Sequence, residues 1–380
     1  MCNITIECTS ASGNSRALDK TNLHMSKKML HLWIRAEQRK NEKRVGLTPQ
    51  DASKLICEGV KVTVEQSADR IISTEDYHKV GCKIANQHSW PRAPKDAIIL
   101  GLKELSDDVE RLEHKHIMFG HAFKGQISGL KLLKRFKAGN GLLYDLEYLT
   151  DPDGRRLAAF GYWAGYAGAA VSLKAYADQQ NTKGICGSVN VSENKEKMVD
   201  CIRNAFVNVE NKFPKILVAG ALGRVGTGAI DFCEALELEV TKWDIEETKN
   251  GEPFPEVLEH EIFLNCILAK PGAPVFVRDK YLKSVRKLKV IGDISCDPDS
   301  SFNPIPIYNS PTNWAVPVIR VNTSQILDVM AIDNLPSLLP YESSVDFSKQ
   351  LLPLLFDLNE PINGVWKRAE ETFLKSLNEV

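Results

Sequence analysis

The stretch KILVAGALGRVGTGAID, residues 215–231, decides the fold. KILVAG (215–220) reads as a buried strand. Gly220, Gly223, Gly226 and Gly228 follow as a GxxGxxG variant ahead of a helical pattern. A strand that feeds a glycine turn and then a helix lets backbone amides approach a diphosphate, which rests at the positive end of that helix. The glycine spacing alone is a weak signal, and its strand–turn–helix setting gives it weight. Asp244 closes the next strand (EVTKWD, 239–244), 18 residues past Gly226. A carboxylate there accepts ribose hydroxyls and repels a 2′-phosphate, so the expected cofactor is NAD rather than NADP. Arg224 lies within the loop, in reach of the diphosphate. Asp293, Ile294 and Ser295, ending a later strand (LKVIGDIS, 288–295), are expected to line the ribose or nicotinamide end.

Working outward, the same alternation continues in both directions. IFLNCIL (262–268) and LKVIGDIS read as further buried strands of this unit, and residues 161–180 as a helix preceding it. Upstream, MLHLWIRA (29–36), KVTVEQ (61–66), DAIILGLK (96–103), HIMFGHAF (116–123) and LLYDLEYL (142–149) form a second set of strands. Between the first two, TPQDASKLICEGV (48–60) carries a helix-start signal, Thr48 as N-cap and Pro49 at the first helical position, and stops at Gly59. A helix with a Gly stop is expected over 126–140, and a last helix over 364–377. The βαβ alternation implies an α/β protein of two Rossmann-like doubly wound parallel-sheet domains, with the active-site cleft between them. Residues 28–157 with 336–380 are expected to form a discontinuous substrate and catalytic domain, and 158–335 the inserted NAD-binding domain.

Composition narrows the function. At 380 residues the chain holds about two domains' worth of core. Forty-eight Lys and Arg against 49 Asp and Glu leave a net charge of −1, so no electrostatic footprint for nucleic acid is expected. No apolar run is long enough for a transmembrane helix. The nine cysteines are Cys2, Cys8, Cys57, Cys82, Cys186, Cys201, Cys233, Cys266 and Cys296. They are widely spaced and form no CxxC, which predicts inert buried thiols, no metal site and a reducing compartment. The first 27 residues lack an apolar signal core and are expected to be a disordered extension. No coiled-coil heptad demands a partner chain, so a cytoplasmic monomer is the expectation.

Four polar motifs fall at the carboxyl ends of the first unit's strands, where open α/β sheets place their ligands. They are GLKE (101–104), FGHAFKGQ (119–126), YDLEYL (144–149) and GRRLAAFGYWAGYAG (154–168). Lys103, His121, Lys124, Glu147, Arg155 and Arg156 would thereby converge on one cleft. A Lys, a His and a carboxylate together are the set needed to move several protons around a hydride transfer.

These blocks carry a resemblance. IRAE and EKRVGLTP (34–49), GLKE, HIMFGHAFKGQ, YDLE, GRRLAAFGYWAGYAGAA, GALGRVGTGAID, KWDIEET and IDNLPSLLP (332–340) resemble, in this order, the NAD-dependent, lysine-forming saccharopine dehydrogenases of the fungal lysine pathway. The likeness runs from about Leu32 to near the C-terminus. RVGLTP and the glycine loop are also similar to alanine dehydrogenase and the transhydrogenase domain.

The resemblance implies oxidative cleavage of saccharopine, with NAD and water, to lysine and 2-oxoglutarate. By similarity Lys103 is the base that neutralises the secondary amine and His121 the acid–base of the water steps. Glu104 and Glu147 would tune the two. Arg44, Lys124 and Arg156 would hold the substrate's carboxylates, with Phe160 as an apolar wall and Arg39 as a further candidate. Cofactor contacts would fall on Arg155, Arg224, Val225, Asp244, Thr248, Leu268, Ile294, Ser295 and Asp333. Two other readings share the scaffold: an alanine dehydrogenase-like enzyme, which needs to hold only one carboxylate and a methyl, and a metabolite-binding paralogue without turnover.

Overall fold

Parallel strands buried on both faces read as continuous apolar runs, and the strands at the heart of this protein do so. The structure, a computed structural model, describes residues 29–123, 126–182, 184–210, 213–268, 270–359 and 364–380. The expected extension over residues 1–27 lies outside them.

The first sheet is built by β1 (His31–Ile34), α1 (Pro49–Cys57), β2 (Lys61–Glu65), α2 (Thr74–Lys79), β3 (Lys83–Ala85), β4 (Ala97–Leu100), β5 (Lys115–Met118), α3 (Ile127–Gly139) and β6 (Leu142–Asp145). Its order is β3-β2-β1-β4-β5-β6, parallel throughout. The order reverses between β1 and β4, and in such sheets ligands bind above the carboxyl ends at that switch point. Thr48 caps α1 by accepting the Asp51 amide. α3 ends on Asn140 in the left-handed conformation (φ 55°) rather than on a glycine. β6 stops at Asp145 and passes into a short 3₁₀ turn over Leu146–Tyr148.

The second sheet follows α4 (Gly161–Thr182) and α5 (Lys195–Ala205). It contains β7 (Ile216–Ala219), α6 (Arg224–Ala235), β8 (Val240–Trp243), α7 (Ile245–Thr248), β9 (Ile262–Asn265), β10 (Val290–Asp293), β11 (Val318–Asn322) and β12 (Leu327–Met330). The order is β11-β12-β10-β9-β7-β8, and only β11 runs antiparallel to its neighbour. Its switch point lies between β7 and β9, beside the glycine loop.

α4 joins the units. It packs so closely on α6 that a Cβ on Gly165 would collide with the Val225 carbonyl, and one on Gly228 with the Tyr162 carbonyl. The chain then returns to the first sheet through α8 (Pro340–Phe356) and α9 (Val365–Leu377). Phe347, Leu351, Leu355 and Trp366 share a buried core with Leu32, Ile34 and Val64. Two α8 serines reach across nearly the whole sequence. Ser344 Oγ accepts the Val45 amide at 2.9 Å, and Ser348 Oγ accepts the Thr48 amide at 2.9 Å. Buried amides in an irregular segment need partners, and here α8 supplies them. The loop over residues 35–48, which follows β1, is thus held from both sides.

Among the described residues no helix is long and apolar enough to cross a membrane. Of the described cysteines, Cys57 and Cys201 are exposed rather than buried.

Candidate active site

The switch point of the first sheet delivers Lys103. Glu37, just past β1, accepts the Leu102 amide at 2.7 Å and the Lys103 amide at 3.0 Å through its two carboxylate oxygens. Arg35 donates to the Lys103 carbonyl and lies 3.3 Å from Glu37. The Lys103 backbone is therefore fixed by groups on the neighbouring strand's exit. Burial first, then the Arg44 and Arg39 guanidiniums, push the Lys103 ammonium below its ordinary value, opposed by Glu42 and Asp333. A lysine so placed is unprotonated more often near neutral pH and can act as a base.

The carboxylate that faces Lys103 is Glu42, not the adjacent Glu104. Glu104 points outward and lies 3.8 Å from Arg39 Nε. Arg39 also reaches Asp333 across the cleft at 3.6 Å. Glu42 is buried and grips Arg44 with two bonds, Nε–Oε1 at 2.8 Å and Nη2–Oε2 at 2.6 Å. Burial alone would raise the Glu42 carboxyl, but the Arg44 charge and hydrogen bonds, with Lys103, hold it below the usual carboxylate range. Arg44 lies 4.2 Å over the Phe160 ring, which stacks on Phe347 with centroids 4.2 Å apart. In sequence Glu42 is one charge in the run RKNEKR and gives no signal of its own. In the fold it is buried, with Ser337 Oγ 3.4 Å from its Oε2.

The ends of β5 and β6 supply the second proton-carrying pair. His121 takes φ +48° just past β5, and its Nδ1 lies 3.4 Å from Glu147 Oε1. The same oxygen is 3.4 Å from Arg156 Nη2, so Glu147 bridges His121 and Arg156. Behind them Asp145, fully buried, accepts the Gly120 and Glu147 amides. Lys124 lies outside the described residues.

On the facing side, Gly220 (φ +82°) turns the chain out of β7, and Gly226 has no room for a Cβ against the Gly220 carbonyl. Gly223 stands immediately before α6, whose first turn holds Arg224 and Val225. This turn has the form a dinucleotide diphosphate needs: an open helix N-terminus with backbone close beneath it. Asp244 Oδ2 accepts the Leu222 amide at 2.9 Å, tying the end of β8 to the glycine loop, and caps α7 with Glu247. Thr248 Oγ1 donates to the Asp244 carbonyl. Leu268 is exposed past β9, whereas the Ile294 side chain is buried in the second unit's core against Gly168. Ser295 is half-buried beside it. Neither this turn nor its neighbours hold metal ligands: among the described residues no group of three His, Cys, Asp or Glu side chains could hold an ion.

A cleft of about 720 Å³ gathers Lys103, His121, Glu147, Arg44, Arg156 and Phe160 from the first unit with Gly223, Arg224, Val225 and Asp333 from the second. Arg155 and Phe119 also line it. Arg224 crosses it, its Nη2 3.3 Å from the Arg156 carbonyl. Glu104, Gly220, Gly226, Asp244, Thr248, Leu268, Ile294 and Ser295 are not among its lining residues. Asp244 and Thr248 lie beside the glycine loop, and Leu268, Ile294 and Ser295 follow the next two strands. The arrangement can take a proton at Lys103, take or give one at His121, and bind several anions at Arg44 and Arg156.

Residues 33–167 match the model of the alanine dehydrogenase/PNT N-terminal domain. The solved structure of an L-alanine dehydrogenase superposes with a TM-score of 0.67 at 17% identity, covering 91% of this chain and 94% of that one. A transhydrogenase from Sinorhizobium meliloti gives 0.62 at 17%, covering 87% and 95%. At that identity the likeness is one of fold. Sequence similarity is closer to the NAD(+)-dependent, L-lysine-forming saccharopine dehydrogenase of Schizosaccharomyces pombe, 43% identical over 90% of this chain and 97% of that enzyme. The enzyme of the same name from Candida glabrata is 44% identical over 90% and 95%. With this likeness spanning nearly the full length of both, the chain belongs to the family of NAD(+)-dependent, L-lysine-forming saccharopine dehydrogenases.

Proposed function

We propose that this protein catalyses the NAD(+)-dependent oxidative cleavage of L-saccharopine with water to L-lysine and 2-oxoglutarate, the step that forms lysine in its biosynthesis. The observation that carries the mechanism is a half-buried Lys103, lowered in pKa, in the same cleft as the His121–Glu147 pair and the glycine loop.

The reaction dictates the roles. Saccharopine's secondary amine is protonated in water, and an ammonium has no lone pair to expel a hydride. Lys103 takes that proton. The freed lone pair forms a C=N bond as the α-hydrogen of the glutarate moiety leaves with its electrons. Bound NAD(+) supplies the hydride acceptor. His121, steadied by Glu147, takes a proton from water as its oxygen adds to the iminium carbon. The carbinolamine collapses when its hydroxyl loses a proton and the lysine nitrogen gains one, which breaks the C–N bond and leaves the ketone. Arg44, Arg156 and Lys124 hold the substrate's three carboxylates, for which planar guanidinium forks are suited. Phe160 packs beside its methylenes. Gly220, Gly223 and Gly226 cradle the diphosphate with Arg224, Val225 and Arg155, and Asp244 takes the ribose hydroxyls. Thr248, Leu268, Ile294, Ser295 and Asp333 complete the cofactor side.

Residues 28–157 with 336–380 act as the substrate domain and 158–335 as the cofactor domain, closing on each other to exclude bulk water. Thiols at Cys82, Cys186, Cys201, Cys233, Cys266 and Cys296, none in a disulfide, fit a reducing cytoplasm. We expect a monomer, which light scattering measures directly.

The test is NADH absorbance near neutral pH. Oxidation that requires both lysine and 2-oxoglutarate supports the reading. Oxidation with pyruvate and ammonia instead would make the enzyme an alanine dehydrogenase. Lys103→Met and His121→Gln should each lose about 10²–10⁴-fold in kcat while still binding NADH. Wild-type turnover in either would remove that residue from the mechanism.

A further inference from the structure

Asp145 is not itself among the cleft's lining residues and is 0% exposed at the end of β6. Its two carboxylate oxygens are spent on two amides. Oδ2 accepts from Gly120 N at 3.2 Å, and Oδ1 from Glu147 N at 2.9 Å. Gly120 precedes His121, and Glu147 is the carboxylate against His121 Nδ1. One buried side chain therefore fixes the backbone under both members of the pair.

The His121 backbone needs such an anchor. Its φ of +48° lies in the left-handed region, where a Cβ-bearing residue is disfavoured and persists only if its surroundings hold it. Before it, Gly120 is wedged against β6. A Cβ there would lie 2.6 Å from Leu143 Cδ2 and 3.1 Å from Asp145 Oδ2. The bond from Gly120 to Asp145 ties the chain to β6 immediately before His121. Burial is also costly for this carboxyl. It is raised to about 6, chiefly by desolvation, with the Glu147 charge raising it further while the two amides and His121 lower it. A group kept at that cost is doing something the nearby polar side chains do not.

We propose that Asp145 is a positioning residue for the acid–base step, setting the angle between His121 and Glu147 through the Gly120 and Glu147 amides. It rests on the reading of His121 as acid–base.

The test is a double-mutant cycle on the full-length enzyme. Asp145→Asn presents an NH₂ to one of the two amides, and Asp145→Ser leaves space for a water that can accept from them. Each is assayed with NADH, lysine and 2-oxoglutarate, alone and combined with His121→Gln. NADH binding by fluorescence is followed in parallel. Expected is a 10–100-fold fall in kcat for Asp145→Asn, since misplacement of a catalytic group by an ångström has an effect of that order. KM for lysine and NADH affinity should stay within about threefold. Asp145→Ser should recover part of the rate. In the His121→Gln background the added loss should shrink below about threefold, because groups acting through one another are not additive.

Wild-type kcat in Asp145→Asn, with His121→Gln inactive, overturns the positioning role alone. An undiminished loss in the His121→Gln background also overturns it, since Asp145 would then act elsewhere. Loss of NADH binding in both variants overturns it too, by showing that Asp145 supports the fold as a whole. Wild-type turnover in His121→Gln instead overturns the acid–base reading itself.

Discussion

Arg44 is forked onto the carboxylate of Glu42, with both side chains under 5% exposed (4% and 1%). The fork fixes the plane of the guanidinium over Phe160 and places an anion beside Lys103. Glu42 therefore has two separable effects: it orients the cation proposed to hold the substrate, and it restrains how far the Lys103 pKa falls.

Replacing Glu42 separates these effects. In Glu42→Gln the anion that raises Lys103 is gone, so Lys103 should deprotonate at still lower pH. Saccharopine oxidation needs the unprotonated amine, and its acidic limb should shift toward lower pH. KM for saccharopine should rise about tenfold as Arg44 loses its charge-assisted bonds, about 1.4 kcal/mol. In Glu42→Ala the Arg44 charge is left buried and unpaired, which should cost about 3–5 kcal/mol of stability. Kinetics as a function of pH and urea melts check the three effects. An unmoved limb would mean that Lys103 does not feel Glu42.

The strand and helix framework was legible because buried parallel strands are apolar runs and glycine turns punctuate them. What escaped included β12 (Leu327–Met330), a short buried run interrupted by Asp328, helix α8, and pieces without that signature. β3 has three residues, and β11, with its polar Arg320 and Asn322, lies at the antiparallel edge. α5 begins in the charged run ENKEKM, and its apolar face (Met198, Val199, Ile202) is short. At the site, Lys103, His121 and Arg44 stand next to recognisable blocks. Glu37, Glu42 and Asp145 fall inside such blocks as well, but nothing in the blocks marks their roles, because each gains its meaning from packing against a segment distant in sequence. Glu104 was expected beside Lys103 by adjacency. Past the end of β4 the chain is irregular, and successive side chains diverge: one enters the cleft and the next meets Arg39.

Asp244 should set the cofactor preference. Its carboxylate sits against the glycine loop through the Leu222 amide, the place proposed for the adenosine ribose. In Asp244→Ser a hydroxyl can still cap α7, while the charge that repels a 2′-phosphate is removed. The ratio of kcat/KM for NADH over NADPH should fall by about tenfold or more, about 1.4 kcal/mol. An unchanged ratio would place discrimination elsewhere in the loop.

Gly165 tests the joint between the units. A methyl there collides with the Val225 carbonyl, and Val225 lies in the first turn of α6, the turn proposed to hold the diphosphate. Gly165→Ala must push α4 and α6 apart. Overpacking of this kind costs about 1–3 kcal/mol. If the displaced turn holds the diphosphate as proposed, NADH affinity weakens along with thermal stability. A drop in Tm with unaltered NADH affinity would show that α6 tilts about its N-terminus and leaves the glycine loop in place.

Acid should destabilise the first unit through His116. The ring is buried at the end of α3's packing face, edge-on to Trp90 at 5.1 Å and to Phe136 at 5.4 Å, and neither ring nitrogen has a hydrogen-bond partner. Burial, with Arg35, His114 and Arg135 nearby, lowers its pKa well below 6.5. The unfolded chain then binds a proton near pH 6.5 that the folded chain refuses, so ν_U exceeds ν_N below that pH. The stability from a neutral His116 is complete above about pH 6.5 and drains as pH falls, at up to about 1.4 kcal/mol per pH unit for this one group. His31, also lowered by burial, adds a slope of the same sign. Urea melts at pH 7.5, 6.0 and 5.0 should show the decline. His116→Leu, which cannot titrate and leaves no unpaired nitrogen, should flatten it. Equal slopes in the two proteins would place the acid sensitivity in other groups.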